Sequence, residues 1–266
     1  MNRAYPVFTQ RSGDVAHLIE LCAGTAAVSL AALGCSRFPV SRIGSKSGWV
    51  TPILDALAVR APVSTATLVE ADPRLAALLG ALLSDAARGG IADAVEASLS
   101  EPPRVCWERA RAGSTPTDTL IWMTGARGGI GGYKGAHKLR PSVDGFIPTR
   151  ASLVRRLRAF KVGGLANVLC ADASTLDPRA FTPSAVYIDP PYAGRQGYRA
   201  ALAEPAEVLA ARWCAAGHRV VVSEARPLAG ATDAREITAL RRGQSRRSLT
   251  TDHAEWLSIY TPTRAN

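Results

Sequence analysis

Much of what commonly identifies a chain is missing from these 266 residues. No apolar run approaches the length of a membrane span, so a soluble protein is expected. The opening MNRAYPVFTQ has no apolar core of the kind a secretory signal needs, which points to a cytoplasmic location. The five cysteines, Cys22, Cys35, Cys106, Cys170 and Cys214, are odd in number and widely spaced, with no CxxC pair. A disulfide scaffold and a zinc site are disfavoured, and the thiols read as free in a reducing compartment. A complete GxGxxG fingerprint is absent, as is the spacing of a phosphate loop. No internal repeat divides the chain, so one elaborated domain is expected rather than two independent ones.

What is present begins with ordinary globular proportions, 47% hydrophobic and 20% charged residues. The net charge is +10, from 32 Lys and Arg against 22 Asp and Glu. That excess suits a polyanionic partner. Genomic base bias toward Arg and Ala produces the same excess, so charge supports nucleic acid without establishing it.

The most informative stretch is Ala185 to Gly194, AVYIDPPYAG. A short apolar strand runs into Asp189, Pro190, Pro191 and Tyr192 and sets them at its carboxyl end, where open α/β sheets place their chemistry. Two consecutive prolines fix φ and carry no N–H, which leaves the Asp189 carboxylate and the Pro190 carbonyl as acceptors suited to a planar amino group. Tyr192 adds a flat face for stacking an extruded base.

Other strand ends fit the same cleft. His17 to Leu21 reads as a buried strand followed by the small-residue turn Cys22-Ala23-Gly24-Thr25 and a helix, the layout of a nucleotide-type cofactor site, with Glu20 just before the turn to receive a positive group. A second strand, Ala66 to Val69, ends in Glu70, the leading candidate for ribose hydroxyls, while Asp72 before Pro73 reads as a helix cap. A third, Ala166 to Cys170, leads to Asp172. Between the first two lies Gly-Ser-Lys-Ser-Gly, where Lys46 offers a donor to a carboxylate or phosphate, or else sits in a solvated turn.

From Ala92 to about Arg150 clean periodicity is lost, and six glycines between Gly125 and Gly135 are mixed with basic and aromatic residues. Irregular backbone is expected there. Arg127, Tyr133, Lys134, His137, Lys138 and Arg140 suit contact with a nucleic-acid backbone and its bases. Thr149 to Lys161 then reads as a helix with Arg150, Arg155, Arg156 and Arg158 around its polar face.

With these pieces placed, the chain resembles the DPPY class of S-adenosylmethionine-dependent amino-methyltransferases, in particular the phage and bacterial Dam-like (D12 class) DNA adenine-N6 enzymes. ELCAGTAAVSL is similar to that family's first cofactor motif, LVEADPRL to its acidic second-strand motif, VLCADA to the third and YIDPPY to the catalytic tetrapeptide. The resemblance implies an α/β fold, a Rossmann-like class I methyltransferase sheet over residues 1–100 and 149–266, with a glycine-rich basic target-recognition region inserted at 101–148. It implies that Cys22, Ala23, Gly24 and Thr25 pack against the cofactor's methionine end, that Glu70 binds its ribose and Asp172 its adenine, and that Glu20, Lys46 and Asp189 border the same pocket. Asp189, Pro190, Pro191 and Tyr192 are the implied catalytic residues, acting on an adenine flipped from double-stranded DNA, with no metal and no membrane required. Two departures stand out. The Gly-Ser-Lys segment follows the first strand where the family's Gly-Gly-Lys precedes it, and Ala26 occupies the place of a second glycine.

Cytosine-N4 or RNA adenine fits the same tetrapeptide, because it recognises an amino group rather than a whole base. A non-catalytic DNA-binding protein with a methyltransferase fold is the reading from another class. A dinucleotide-dependent oxidoreductase also fits strand, turn, helix and Glu70, but leaves DPPY without a role.

Overall fold

The computed structural model describes residues 17–40, 46–59, 62–126, 146–191, 202–237 and 255–263. Seven strands form one sheet: β1 (His17–Leu21), β2 (Thr65–Glu70), β3 (Leu165–Cys170), β4 (Ala185–Ile188), β5 (Arg219–Glu224), β6 (Asp233–Glu236) and β7 (Trp256–Tyr260). Their spatial order is β3-β2-β1-β4-β5-β7-β6. From β3 to β5 neighbouring strands are parallel, and β7 runs antiparallel to both β5 and β6. This order, with its reversed seventh strand, is the Rossmann-like class I methyltransferase sheet. The chain winds outward in both directions from β1 and β4, so a crevice opens at the carboxyl ends of that pair.

The central strands are continuous apolar runs because both faces are covered. Leu18, Tyr187 and Val221 pack toward α1 (Ala27–Ala32) and α2 (Val50–Ala56). Ile19, Leu21, Val186 and Val222 pack on the other face, where Leu209 and Trp213 of α8 (Ala206–Ala215) meet them. Between β2 and β3 lie α3 (Pro73–Leu83), α4 (Asp85–Ala97), α5 (Pro103–Ala112), α6 (Pro116–Gly125) and α7 (Phe146–Arg158), which share a third core containing Leu78, Trp107, Ile121 and Leu153. Asp72 caps α3 as expected, its Oδ1 accepting the Arg74 N–H at 2.9 Å with Pro73 in the first turn. Among the described residues no single helix is long and apolar enough to cross a membrane.

Two expectations are corrected. While most of the glycine-rich stretch lies outside the described residues, the chain from 92 to 126, read as lacking clean periodicity, is largely helical. Its helices are short and begin at prolines, and α6 is buried on every side, which erases the polar face that makes a helix visible in sequence. Thr115 and Asp118 close a reciprocal capping box at its start. Arg150 is not on a polar face but fully buried. Its Nη1 donates to the Ser98 carbonyl and, at 3.2 Å, to Ser98 Oγ, while Nη2 donates to the Glu101 carbonyl at 3.2 Å. The end of α4 needs donors for its last carbonyls, and a guanidinium supplies several.

Candidate active site

Pairing of β1 with β2 and β4 brings three strand ends level, with Leu21 opposite Val69 on one side and Ile188 on the other. The backbone after β1 then turns sharply. Cys22, Gly24 and Ala26 all have positive φ, at 58°, 55° and 48°. The turn is pinned by Ala23 N–H donating to the Val69 carbonyl at 2.9 Å and by Gly24 N–H donating to Glu70 Oε2 at 2.8 Å. Glu70 Oε1 accepts a second backbone N–H, from Asp72, at 2.9 Å. Glu70 therefore fixes both its own loop and the neighbouring one. Ala23 and Thr25 are buried in the turn.

Asp172, just beyond β3, caps the short 3-10 helix Ala173–Thr175. Its Oδ1 accepts from Ser174 N–H at 2.9 Å and from Ser174 Oγ at 2.8 Å. Burial above all, then the charges of Glu70, Asp189 and Asp172, push the Cys22 thiol well above its ordinary range. The strand registers bring the ends that carry or precede these three acids to one edge of the sheet.

Asp189 follows β4 directly, and its N–H donates to the Leu21 carbonyl at 3.4 Å. Its carboxylate meets a residue from far away in the chain: Lys46 Nζ lies 3.1 Å from Asp189 Oδ1 and 2.8 Å from Glu255 Oε1. Only 6% of the Lys46 side chain is exposed, against 23% for Asp189 and 16% for Glu255. Lys46 opens a single 3-10 turn, Lys46–Gly48, that leads into α2. The displaced Gly-Ser-Lys segment thus delivers its cation to the acid of the tetrapeptide. Sequence reasoning gave Glu255 no role beyond starting the last strand. β7 runs antiparallel to β5, with Trp256 opposite Glu224, so the residue before it arrives at the carboxyl edge of the parallel strands.

Beneath the site is a buried polar layer. Glu20 lies opposite Tyr187 in the β1–β4 register, and Tyr187 Oη shares a hydrogen bond of 2.7 Å with Ser223 Oγ. Glu20 Oε2 accepts the Ser29 N–H at 2.7 Å. Burial pushes the Glu20 carboxyl up to about 7, a rise opposed by donors at Ser29 and Val28 and reinforced by the charge of Asp189.

The expected residues Tyr192, Arg127, Tyr133, Lys134, His137, Lys138 and Arg140 lie outside the described residues, as does the basic run 241–247.

No family model matches the sequence, and no curated protein matches it. Among solved structures, the chain is similar to the rRNA methyltransferase AviRa of Streptomyces viridochromogenes. In one determination the identity is 20%, over 96% of this chain and 86% of that one, with a TM-score of 0.38. In a second it is 19%, over 97% and 87%, again at 0.38. The fold assignment rests on the strand order and directions described above.

Chemically, the arrangement joins a backbone turn open to close approach, two carboxylates at adjoining strand ends, and an acid held by a buried lysine beside prolines that donate nothing. Such a site accepts hydrogen bonds more readily than it gives them. It is suited to a ligand rich in hydroxyl and amino donors.

Proposed function

We propose that the chain transfers a methyl group from S-adenosylmethionine to an exocyclic amino group of a nucleobase, namely N6 of adenine in DNA. The observation that carries this reading is the placement of Asp189 and Pro190 at the carboxyl end of β4, beside the Cys22–Ala26 turn at the end of β1. An acceptor pair for an amine and a turn for a cofactor thereby share one crevice.

The residues present fit that cofactor. A carboxylate has about four acceptor positions, and the two backbone amides on Glu70 do not exhaust them, so a ribose diol can be held there. Asp172 receives its Ser174 contacts on Oδ1 alone, which suits an additional donor from an adenine amino group. The cofactor supplies an electrophilic methyl on a sulfonium sulfur. The protein's task is to make the amine a nucleophile, since its lone pair is delocalised into the base. Hydrogen bonds from the amine to Asp189 and to the Pro190 carbonyl favour a pyramidal nitrogen, and they strengthen as positive charge develops on it. Holding nitrogen and methyl in line supplies further rate.

Charge supports a polyanionic carrier for the base. Segments 41–45, 127–145, 192–201 and 238–254 hold eleven Lys or Arg and only two acids, Asp144 and Asp252. In sequence, 41–45 directly precedes Lys46, 238–254 directly precedes Glu255, and 192–201 begins at the last residue of the tetrapeptide. The described framework has more Asp and Glu than Lys and Arg. Basic sequence thus adjoins Lys46, Glu255 and the tetrapeptide along the chain.

Incubation with methyl-labelled S-adenosylmethionine and unmodified DNA or RNA, followed by digestion to nucleosides, tests the reading. Labelled N6-methyladenine from DNA is expected. Cofactor binding with no labelled nucleoside from either polymer refutes methyl transfer to a base, while label in RNA or in N4-methylcytosine reassigns the acceptor.

A further inference from the structure

Lys46 is buried between two carboxylates, and the second of them, Glu255, has no place in the reading above. We infer that Glu255 is a positioning residue: it draws Lys46 away from full pairing with Asp189, so that Asp189 keeps negative charge for the amine it accepts. This rests on the methyl-transfer reading.

The geometry carries the inference. Lys46 Nζ lies nearer to Glu255 Oε1, at 2.8 Å, than to Asp189 Oδ1, at 3.1 Å. An ammonium shared in this way is divided in charge as well as in hydrogen bonds, and at such burial neither interaction is much screened by water. The other titratable groups around the pair are Glu20 and Tyr187, on the strands beneath, and Cys22 on the turn. Each of them registers the charge of Asp189. Lys46 is thus divided between two acids.

The reaction uses such a division. As the N–C bond forms and the S–C bond breaks, the bonding electron pair stays on sulfur. Positive charge passes from sulfur to the amine nitrogen, which then loses one proton to water. Negative charge on Asp189 stabilises that transfer toward nitrogen, and a lysine paired to Asp189 alone would cancel much of it. Glu255 thus acts through Lys46 without touching either substrate. Lys46 remains necessary to hold the Asp189 carboxylate against the end of β4. The placement also explains why the lysine arrives from a segment after β1 and the acid from the start of the reversed strand: both reach the crevice from the α2 side of β4.

The test uses Glu255→Gln, which keeps size and removes charge, and Glu255→Asp, which keeps charge. The full chain labelled with 13C at aspartate carboxyls reports the titration of Asp189, assigned with Asp189→Asn. In Glu255→Gln, the carboxylate that competes for Lys46 is removed and a like charge has gone, so the Asp189 midpoint moves to lower pH. With S-adenosylmethionine and the polymer that the parent methylates, kcat falls by about tenfold or more while both KM values stay within about threefold. Glu255→Asp recovers most of the kcat. An Asp189 midpoint that does not move overturns the proposal whatever happens to activity. A moved midpoint with unchanged kcat overturns it too, because the sharing would then be without consequence. If the parent methylates neither polymer, the methyl-transfer reading fails, and a moved midpoint then shows a shared lysine in a site of other function.

Discussion

Gly24 and Glu70 tie the first strand's turn to the second strand's end through one hydrogen bond, Gly24 N–H to Oε2 at 2.8 Å. Because Oε1 accepts from Asp72 at 2.9 Å, a single carboxylate shapes both loops of the cofactor crevice. Glu70→Ala removes the proposed ribose acceptor and takes the carboxylate from the Gly24 and Asp72 N–H groups. S-adenosylmethionine binding, measured by titration calorimetry, is expected to weaken by about tenfold to a hundredfold, equivalent to about 1.4–3 kcal/mol. Glu70→Gln keeps one acceptor oxygen and should fall between. Parent-like affinity in Glu70→Ala would remove this residue from the pocket.

Ala26 sits where a glycine would be at ease, at φ 48° and ψ 38°. An alanine in the left-handed region costs about 1–2 kcal/mol, of which glycine's extra freedom in the unfolded chain takes back about 0.5–1 kcal/mol. Ala26→Gly is therefore expected to leave stability equal or raise it by up to about 1 kcal/mol. Ala31→Gly, in α1, should lose about 1 kcal/mol as an ordinary helix position does. Denaturant midpoints of the two variants give the comparison. A loss at Ala26 as large as at Ala31 would show that the turn is not strained.

These two residues also mark how far the sequence could be read. The missing second glycine was visible at Ala26, and the turn it implied is there. β1, β2 and β4 were legible as unbroken apolar runs, as strands covered on both faces are. The acids at strand ends were legible for the same reason: each follows its run at once. Lys46 beside Asp189 was not, since nothing local in a glycine-serine segment says which distant acid it will meet. Glu255 depended on the direction of β7, a property of the sheet rather than of any window of sequence. Arg150 looked like one more basic residue on an arginine-rich helix, and only the end of α4 packed against it explains its burial.

Arg150 supplies the third prediction. Its stem and head fill a buried site between α4 and α7, and its donors serve the carbonyls of Ser98 and Glu101. Arg150→Met keeps much of the stem's packing but leaves those carbonyls without these donors. A loss of about 2–3 kcal/mol is expected by chemical denaturation, with cofactor affinity unchanged because the carbonyls of Ser98 and Glu101, which follow α4, are not among the crevice residues. Arg158→Met is the control. That side chain is half exposed, and its contacts with Asp93 and Glu96 are surface ion pairs screened by solvent, so its loss should be much the smaller. Equal effects of the two substitutions would mean that the buried hydrogen bonds contribute nothing special.

Glu20 gives a dependence on pH whose sign can be worked out. Burial raises its folded value to about 7, above the ordinary 4.5. The folded state therefore binds the proton more tightly than the unfolded chain, so stability falls as pH rises from about 4.5 to about 7 and is level above that. A shift of this size corresponds to about 3 kcal/mol at full ionisation. Glu20→Gln stays neutral throughout, and its amide oxygen can accept the Ser29 N–H as the carboxyl does. Parent and variant should thus be close in stability at pH 5 and diverge in the variant's favour by pH 8, by up to about 3 kcal/mol in urea denaturation. The charge of Asp189 contributes to the rise, so Asp189→Asn should lower the pH at which the divergence levels off and make it smaller. Parallel stability curves for parent and Glu20→Gln would show that the buried carboxyl titrates normally and that the layer beneath the site is open to water.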